Sequence, residues 1–170
     1  MIIDDLDKKL LALLSEDGRM SSAKLARVIG ASERTVVNRV NKMINDGIIS
    51  IVGMISSKHF GYEVIADILC EVETSRIDEI AKEIAEFPEV SYLAISFGSE
   101  DISVQVITKS TADLFEFIKT KLSQISGVIK TNTVIVPIVV KEFNEWIPPE
   151  VQEVKNQLER KFIIEPRENQ

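Results

Sequence analysis

The chain has 170 residues, of which 45% are apolar and 28% charged, a composition typical of a globular protein with one domain or two small ones. No apolar run reaches the ~18 residues needed to cross a bilayer. The first residues lack the basic leader of a signal peptide, so the cytoplasm is the expected compartment. One cysteine and one histidine exclude an internal disulfide framework and a His/Cys zinc site within one chain.

The net charge of −7 is distributed unevenly along the chain. Residues 19–58 hold seven basic and two acidic side chains, a net of +5. Residues 59–170 hold eleven basic and twenty acidic side chains, a net of −9. The basic segment therefore suits a polyanionic partner, although the charge of the whole chain argues against one.

The N-terminal segment predicts two short helices. A leucine stripe over residues 4–15 predicts the first. The second begins at a capping serine, either Ser21 or Ser22, and its apolar positions end at Gly30. Glycine favours the left-handed conformation that commonly follows a helix, so Gly30 marks the end of this one.

A third helix is predicted from its cap at Ser32 to the break at Gly47. Its apolar positions predict one buried face, formed by Val36, Val37, Val40, Met43 and Ile44. The three-residue turn "GAS" before it is typical of a helix-turn-helix, whose second helix lies in the major groove of DNA. A solvated helix face is the alternative interpretation, and the charge distribution and turn spacing favour DNA.

From residue 48 onwards the pattern changes to that of β-structure. An extended segment over residues 48–56 precedes a predicted strand over 64–72. Then come a helix over 76–86, two strands joined by "GSED", a helix over 114–125 and a strand over 128–140. The inward positions of the first of these helices are predicted to be Ile77, Ile80, Ile84 and Ala85. Because Pro137 cannot donate a ladder hydrogen bond, it favours an edge position or a bulge in the last strand.

The order βαββαβ predicts a ferredoxin-like antiparallel sheet with both helices on one face, and hence the α+β class. A last helix is predicted from Pro149, with an apolar stripe of Val151, Val154, Leu158 and Phe162. We expect that stripe to dock onto the same subunit or a neighbouring one.

Three segments carry a resemblance to a known family: "DDLDKKLLALLSEDGRMSSAKLARVIGASERTVVNRVNKMINDGII", "FGYEVIADILCEV" and "SGVIKTNTVIV". Over roughly residues 2–143 the sequence resembles the feast/famine regulators, the leucine-responsive regulatory protein and AsnC group of transcription factors. The resemblance implies DNA binding by an N-terminal helix-turn-helix. It also implies that a C-terminal ferredoxin-like domain forms dimers and higher, often octameric, assemblies and binds an amino acid between dimers.

Four segments follow from the patterns and the resemblance together. Residues 1–50 are expected to form a helix-turn-helix, winged-helix-like DNA-binding domain, and 51–63 a linker strand. Residues 64–142 are expected to form the ferredoxin-like ligand-binding and oligomerisation domain, and 143–170 a C-terminal extension with one helix.

The residues predicted to contact double-stranded DNA are Ser22, Arg34, Thr35, Asn38, Arg39 and Lys42. Arginine pairs with guanine and asparagine with adenine in the major groove, so Arg34 and Asn38 are the expected base readers. Arg39 and Lys42 lie further along the helix and are the expected phosphate contacts.

The expected effector site departs from the family pattern. The resemblance places a Gly-Asp-aromatic-Asp motif on the hairpin, where this chain has Gly98, Ser99, Glu100 and Asp101. Glu100 adds charge where an aromatic ring would stack, which favours a polar or basic amino acid such as lysine, arginine or glutamine, or no ligand at all. For Gly98 the alternative is a turn residue with positive φ and no role in binding.

A homodimer is expected to form on the sheet face that the two helices leave bare. Ile102, Val104 and Val106 supply one apolar face, and Leu93, Ile95 and Phe97 lie on a face of the neighbouring strand, so a monomer would leave an apolar patch exposed. No catalytic pair, metal site or cofactor motif is predicted, and Cys70 is expected to be a small buried hydrophobe. The competing hypothesis is a sensor or assembly protein with a degenerate DNA-binding head.

Overall fold

The computed structural model describes residues 2–142 and 145–162, which form two compact units. One unit, here called the head, consists of the chain up to Met54 together with the segment from Lys141 onwards. The other consists of Ile55–Val140 and is called the sheet unit. Residues 143–144 and 163–170 of the predicted C-terminal extension, and the side chains of Lys161 and Phe162, lie outside the described residues.

The head contains the three predicted N-terminal helices, α1 (Asp5–Glu16), α2 (Ser22–Ile29) and α3 (Glu33–Asn45). The Asp4 side chain caps α1, and Ser21 rather than Ser22 caps α2. Ser32 caps α3, accepting a hydrogen bond from the backbone N–H of Thr35 at 3.1 Å. After α2 the chain turns at Gly30, whose φ of 73° lies in the left-handed region. Local sequence therefore sets each of these helix boundaries.

The buried side of α3 is narrower than predicted. Val36 and Met43 are buried and Val40 is partly buried against the head core. Val37 and Ile44, which were predicted to be inward, are exposed. Each follows a buried residue by one position, and one position turns the side chain by about 100° around the helix axis. A wider part of the α3 surface than predicted is therefore exposed.

The C-terminal helix α6 (Pro149–Phe162) packs against α1 of the same chain. Val151 and Leu158 are buried in the head core, and Val154 is partly buried there. The ammonium group of Lys155 forms a salt bridge with the carboxylate of Glu16. The predicted apolar stripe thus docks within its own subunit, and the extension belongs to the head rather than standing apart.

The predicted linker strand does not form in this structure. The chain after α3 has no strand before residue 57, and Ser57–Phe60 form a single 3₁₀ turn. A strand requires a hydrogen-bonding neighbour, and the described residues of the head are helical, without the strands of a winged helix. The linker side chains Ile51, Val52, Met54 and Ile55 are all exposed.

The sheet unit has the predicted βαββαβ order. Its elements are β1 (Val64–Val72), α4 (Ile77–Ala85), β2 (Val90–Ile95), β3 (Ile102–Thr108), α5 (Thr111–Thr120) and β4 (Val128–Val136). The four strands are antiparallel neighbours in the order β2-β3-β1-β4. The strand β4 lies at an edge, as predicted, but it ends at Val136 and not at residue 140. Pro137 follows directly and has no backbone N–H to continue the ladder.

Both helices of this unit cover one face of the sheet. The second, predicted over 114–125, instead runs from Thr111 to Thr120 and is followed by a separate 3₁₀ turn at Leu122–Gln124. Two further details differ from the expectation. On α4 it is Ala81 rather than Ala85 that is buried, because the inward stripe runs through Ile80 and Ile84. Leu93 pairs with Val104 and Ile95 with Ile102. Paired residues lie on the same face of a sheet, so Leu93 and Ile95 share the helix-covered side with Val104 and Ile102 and do not supply a second apolar face.

The docking of α6 can be tested with Leu158→Ala. Removing a buried leucine side chain should lower the free energy of unfolding of the head by about 2–5 kcal/mol, because the cavity in the core cannot close fully. Amide hydrogen exchange of α1 would report the loss. The exposed neighbour Gln157, changed to alanine, is the matched control. Unchanged protection of α1 in Leu158→Ala would contradict the docking.

Candidate nucleic-acid interface and effector hairpin

Five exposed residues form the outer face of α3: Arg34, Val37, Asn38, Asn41 and Lys42. Three of them were predicted as DNA contacts. Val37 was predicted to be buried, and Asn41 was not singled out. Both follow from the spacing i, i+3, i+4 and i+7 starting at Arg34, which places all of these residues on neighbouring turns of one side.

The two hydroxyl residues predicted to contact DNA, Ser22 and Thr35, lie at helix starts. The Thr35 hydroxyl lies 2.8 Å from that of Ser32, so Thr35 is half-buried within the cap of α3. Ser22 is the first residue of α2 and is also half-buried. Both residues lie on the first turn of a helix, where backbone N–H groups have no intrahelical partner. Their predicted contact with DNA stays a prediction.

The Arg39 guanidinium points towards α1 and not along the outer face. Its Nη1 donates to Asp4 Oδ2 at 2.7 Å and to Asp7 Oδ2 at 3.0 Å. Asp7 is completely buried, and it also completes a capping box in which the backbone N–H of Asp4 donates to its carboxylate at 3.1 Å. Arg39 therefore joins α3 to α1, a different position from that of the predicted phosphate contact.

The charges of this cluster stabilise one another. The backbone N–H of Asp7, together with the Arg39 guanidinium, holds the pKa of the Asp4 carboxyl below its ordinary value. The hydrogen bond to Asp4 and the charge of Asp7 raise the pKa of Arg39. The ion pair is therefore fully formed at neutral pH.

Four basic residues of α2 and α3 are available to a partner. Lys24 and Arg27 on α2, and Arg34 and Lys42 on α3, are exposed and take part in no salt bridge within residues 2–142 and 145–162. Exposed cations without an intramolecular partner lose little when they exchange water for phosphate. These four residues make α2 and α3 the basic side of the motif.

The hairpin between β2 and β3 contains the four residues of the candidate effector site. Asp101 is fixed by the end of β1, because its backbone N–H donates to the Cys70 carbonyl at 2.9 Å and its Oδ2 accepts from the Val72 N–H at 2.9 Å. The Ser99 hydroxyl donates to the Glu100 carboxylate. One oxygen of Asp101 is thus already used by the fold.

Two residues of the hairpin differ from the expectation. Gly98 does not have a positive φ, and a Cβ built there meets no atom within 4 Å, so the alternative interpretation as a positive-φ turn residue is wrong. Phe97, directly before it, is fully exposed. The hairpin therefore does carry an aromatic ring, one position before the motif. Comparing only residues 98–101 with the family motif did not reveal it.

Cys70 and His59, the single cysteine and histidine of the chain, lie in surroundings that do not suggest a catalytic role. Cys70 is buried, and desolvation raises the pKa of its thiol to about 11, which leaves it uncharged and unreactive at neutral pH. The Nδ1 of His59 lies 2.8 Å from the Ser56 hydroxyl in the linker turn. Among the described residues no group of three or more His, Cys, Asp or Glu side chains could hold a metal ion.

Comparison with known proteins accounts for this arrangement. Residues 3–44 match the AsnC-type helix-turn-helix domain, and residues 63–146 match the Lrp/AsnC ligand binding domain. The chain belongs to the Lrp/AsnC family. Its class is therefore confirmed as a helix-turn-helix, DNA-binding transcriptional regulator with a ligand-binding domain of ferredoxin-like fold.

Related proteins cover nearly the whole family region. An uncharacterized HTH-type transcriptional regulator of Pyrococcus furiosus is 42% identical over 141 residues, which are 82% of this chain and 95% of that protein. The AsnC structure from E. coli has a TM-score of 0.78 at 26% identity and covers 85% of this chain and 99% of its own. A feast or famine regulatory protein from M. tuberculosis, complexed with L-methionine, has the same fold, with a TM-score of 0.78 at 21% identity and coverages of 86% and 100%.

The C-terminal helix α6 lies outside the matched family domains. The match to the ligand-binding domain ends at residue 146, so α6 begins after it. No described helix is both long and apolar enough to cross a membrane. The docking of α6 onto α1 is thus an addition to the part of the chain that the family domains cover.

The cluster around Asp7 generates a prediction about pH. Because the pKa of Asp4 is lowered in the folded head, its stabilising contribution is present above the ordinary carboxyl pKa and is lost as the pH falls through the lowered value. Asp4→Asn should therefore be less stable than the parent at neutral pH, and the difference should shrink on acidification. Thermal unfolding across a pH series measures it.

A matched control for this prediction is Asp5→Asn, which removes the same charge from the same helix end. The Asp5 side chain is 93% exposed and lies 3.7 Å from Lys8 Nζ, without an N-cap role. We expect a smaller loss of stability in the control. Equal losses in both variants, or a difference that does not change with pH, would contradict the assignment.

Proposed function

We propose that the chain regulates transcription by placing the outer face of α3 in the major groove of double-stranded DNA. The observation that carries the proposal is the exposure of Arg34, Asn38 and Lys42 on one side of a capped helix, with no salt bridge to the rest of the described chain. Arg34 offers two parallel donors to guanine, and the Asn38 amide matches adenine. Lys42 neutralises a backbone phosphate.

The remaining candidate residues take supporting positions in this proposal. Ser22 and Thr35 face backbone phosphates from the first turns of α2 and α3, where helix N-termini attract anions. Arg39 holds α3 against α1 through Asp4 and Asp7, and its contribution to DNA binding is the orientation of the outer face. The local net charge of +5 over residues 19–58 overcomes the acidic total.

We further propose that the chain acts as a homodimer, from which tetramers or octamers assemble. The sheet face opposite α4 and α5 carries the exposed Tyr92 and Val134 and the half-buried Ile65, Leu69 and Ile107. On the same face Asp67 accepts a hydrogen bond from the Gln105 amide at 3.0 Å, so the surface is mixed rather than purely apolar. Two heads related by a two-fold axis would fit two half-sites about one helical turn apart.

An amino acid bound at the hairpin between dimers is the proposed effector. A structural neighbour is complexed with L-methionine. In this chain Glu100 and the second oxygen of Asp101 can receive an ammonium group, and the backbone of Gly98 and Ser99 can donate to a carboxylate. Phe97 supplies a ring for the aliphatic part of a side chain. A polar or basic amino acid, such as lysine, arginine or glutamine, suits this set of groups.

The DNA-binding proposal predicts different consequences for base readers and phosphate contacts. Against duplexes selected from a random pool, Arg34→Ala and Asn38→Ala should each cost about 1–3 kcal/mol and relax sequence preference at one position. Lys42→Ala should instead reduce the slope of log affinity against log salt by about one. Fluorescence anisotropy at several salt concentrations measures both effects.

Lys119→Ala is the control for the loss of one positive charge, and it should change neither the affinity nor the salt slope, because Lys119 is exposed on α5 in the sheet unit. The same complexes measured by light scattering should contain two chains, or a multiple of two, per selected duplex. An affinity that does not depend on salt in the parent protein would support the competing hypothesis, a sensor or assembly protein with a degenerate head. One chain per duplex would contradict the dimer.

The effector proposal predicts that calorimetric titration with the twenty amino acids finds a polar or basic ligand. Asp101→Asn should then weaken it roughly tenfold or more, since a hydrogen bond to a charged group contributes ~1.5–3 kcal/mol. Glu116→Gln, an exposed carboxylate on α5, is the matched control. Tight binding of leucine that is unaffected by Asp101→Asn would contradict this proposal.

A further inference from the structure

An apolar side chain stands in the middle of the otherwise polar outer face of α3. Val37 is 38% exposed; Arg34 and Asn41 lie on the adjacent turns, and Asn38 follows it directly. The core of the head is completed without it, since Val36, Val40 and Met43 form the inward stripe of the same helix. Packing within the head therefore does not require an apolar residue at this position.

Secondary structure does not require valine here either. Its branched Cβ makes valine a weaker helix former than alanine, lysine or glutamate, so for helix stability alone this partly exposed position of α3 would be served better by those residues. An exposed valine is consistent with a contact made only when the partner is bound. The proposed partner, the major groove of DNA, offers one apolar group on the base edges, the C5-methyl of thymine.

The positions of the neighbours suit that contact. Val37 and Asn41 are four residues apart, about 6 Å along the helix axis, and this is close to two base-pair steps of about 3.4 Å. Asparagine amides match adenine, so thymine is the base paired with, or next to, those that Asn38 and Asn41 would read. The cap at Ser32 and the Arg39 ion pairs hold α3 rigidly enough to fix this spacing.

We propose that Val37 is a specificity-determining residue that contacts the C5-methyl group of a thymine in each half-site. This inference rests on the proposed function, because it requires the outer face of α3 to lie in the major groove. It adds to that function an apolar contact between the polar base readers. The contact distinguishes thymine from uracil and cytosine at the same position. A hydrogen bond to O4 alone cannot separate thymine from uracil, because both bases carry that oxygen.

Deoxyuridine provides the test, because it lacks only the methyl group. A duplex selected by the parent protein is synthesised with each thymine of one half-site replaced singly by deoxyuridine. Burial of one methyl-sized group corresponds to about a fourfold change in affinity. We expect the affinity of the parent protein to fall about fourfold when one particular thymine of the half-site is replaced. Replacement of the other thymines should change the affinity little.

Two variants of Val37 decide whether this residue makes the contact. Val37→Ser removes both methyl groups, whereas Val37→Thr retains one, and serine and threonine have helix propensities close to that of valine. The serine variant should bind thymine and deoxyuridine duplexes equally at the sensitive position, and the threonine variant should retain part of the difference. Ile44→Ala, which changes another exposed apolar residue of α3, should leave the difference intact.

The outcomes separate this inference from the function on which it rests. If Arg34→Ala weakens binding but no deoxyuridine position matters, or if Val37→Ser keeps the parent's sensitivity, the role of Val37 is wrong while the major-groove proposal stands. If neither the Arg34 nor the Lys42 variant affects binding, the proposed function itself fails. If Val37→Ser changes the number of chains per duplex, Val37 belongs to a contact between subunits, which overturns the inference.

Discussion

The buried carboxylate of Asp7 is the constraint around which the head is organised. A charge with no access to solvent requires a partner, and Arg39 supplies one from α3, 32 residues later in the chain. The same carboxylate accepts the backbone N–H of Asp4 and so helps to begin α1. The start of α1 and the position of α3 therefore depend on a single ion cluster. The direction in which α3 presents its outer face depends on the same cluster.

Support from the other side of α1 comes from a segment outside the matched family domains. Val151 and Leu158 of α6 bury apolar surface against α1, and Lys155 pairs with Glu16 at its C-terminal end. The chain thus leaves the head after Met54 and returns to it from Lys141 onwards. Because α6 packs on α1, it reinforces the helix that carries the partner of Arg39 without occupying the outer face of α3.

The two candidate interfaces use polar groups in different ways. On α3 the side chains of Arg34, Asn38 and Lys42 are exposed and free for a partner, while the residues that fix the helix, Ser32 and Arg39, are engaged internally. On the hairpin, holding the fold and binding a ligand are left to neighbouring atoms of the same residues. Asp101 holds the end of β1 with one carboxylate oxygen, so only the remainder of its acceptor capacity is available to a ligand.

The sequence by itself determined the elements and their order. The caps at Ser32 and Gly30 and the alternation along β1 are local signals, so they predicted the helix-turn-helix and the βαββαβ unit without knowledge of contacts. Only the tertiary structure decided which sides of those elements are free. Whether Val37 is buried depends on how much of the α3 surface the neighbouring helices cover. Arg39 points towards α1 because the buried carboxylate of Asp7 lies there. Periodicity along one segment carries no information about a neighbour that is distant in sequence, and this is why the helices were predicted but their partners were not.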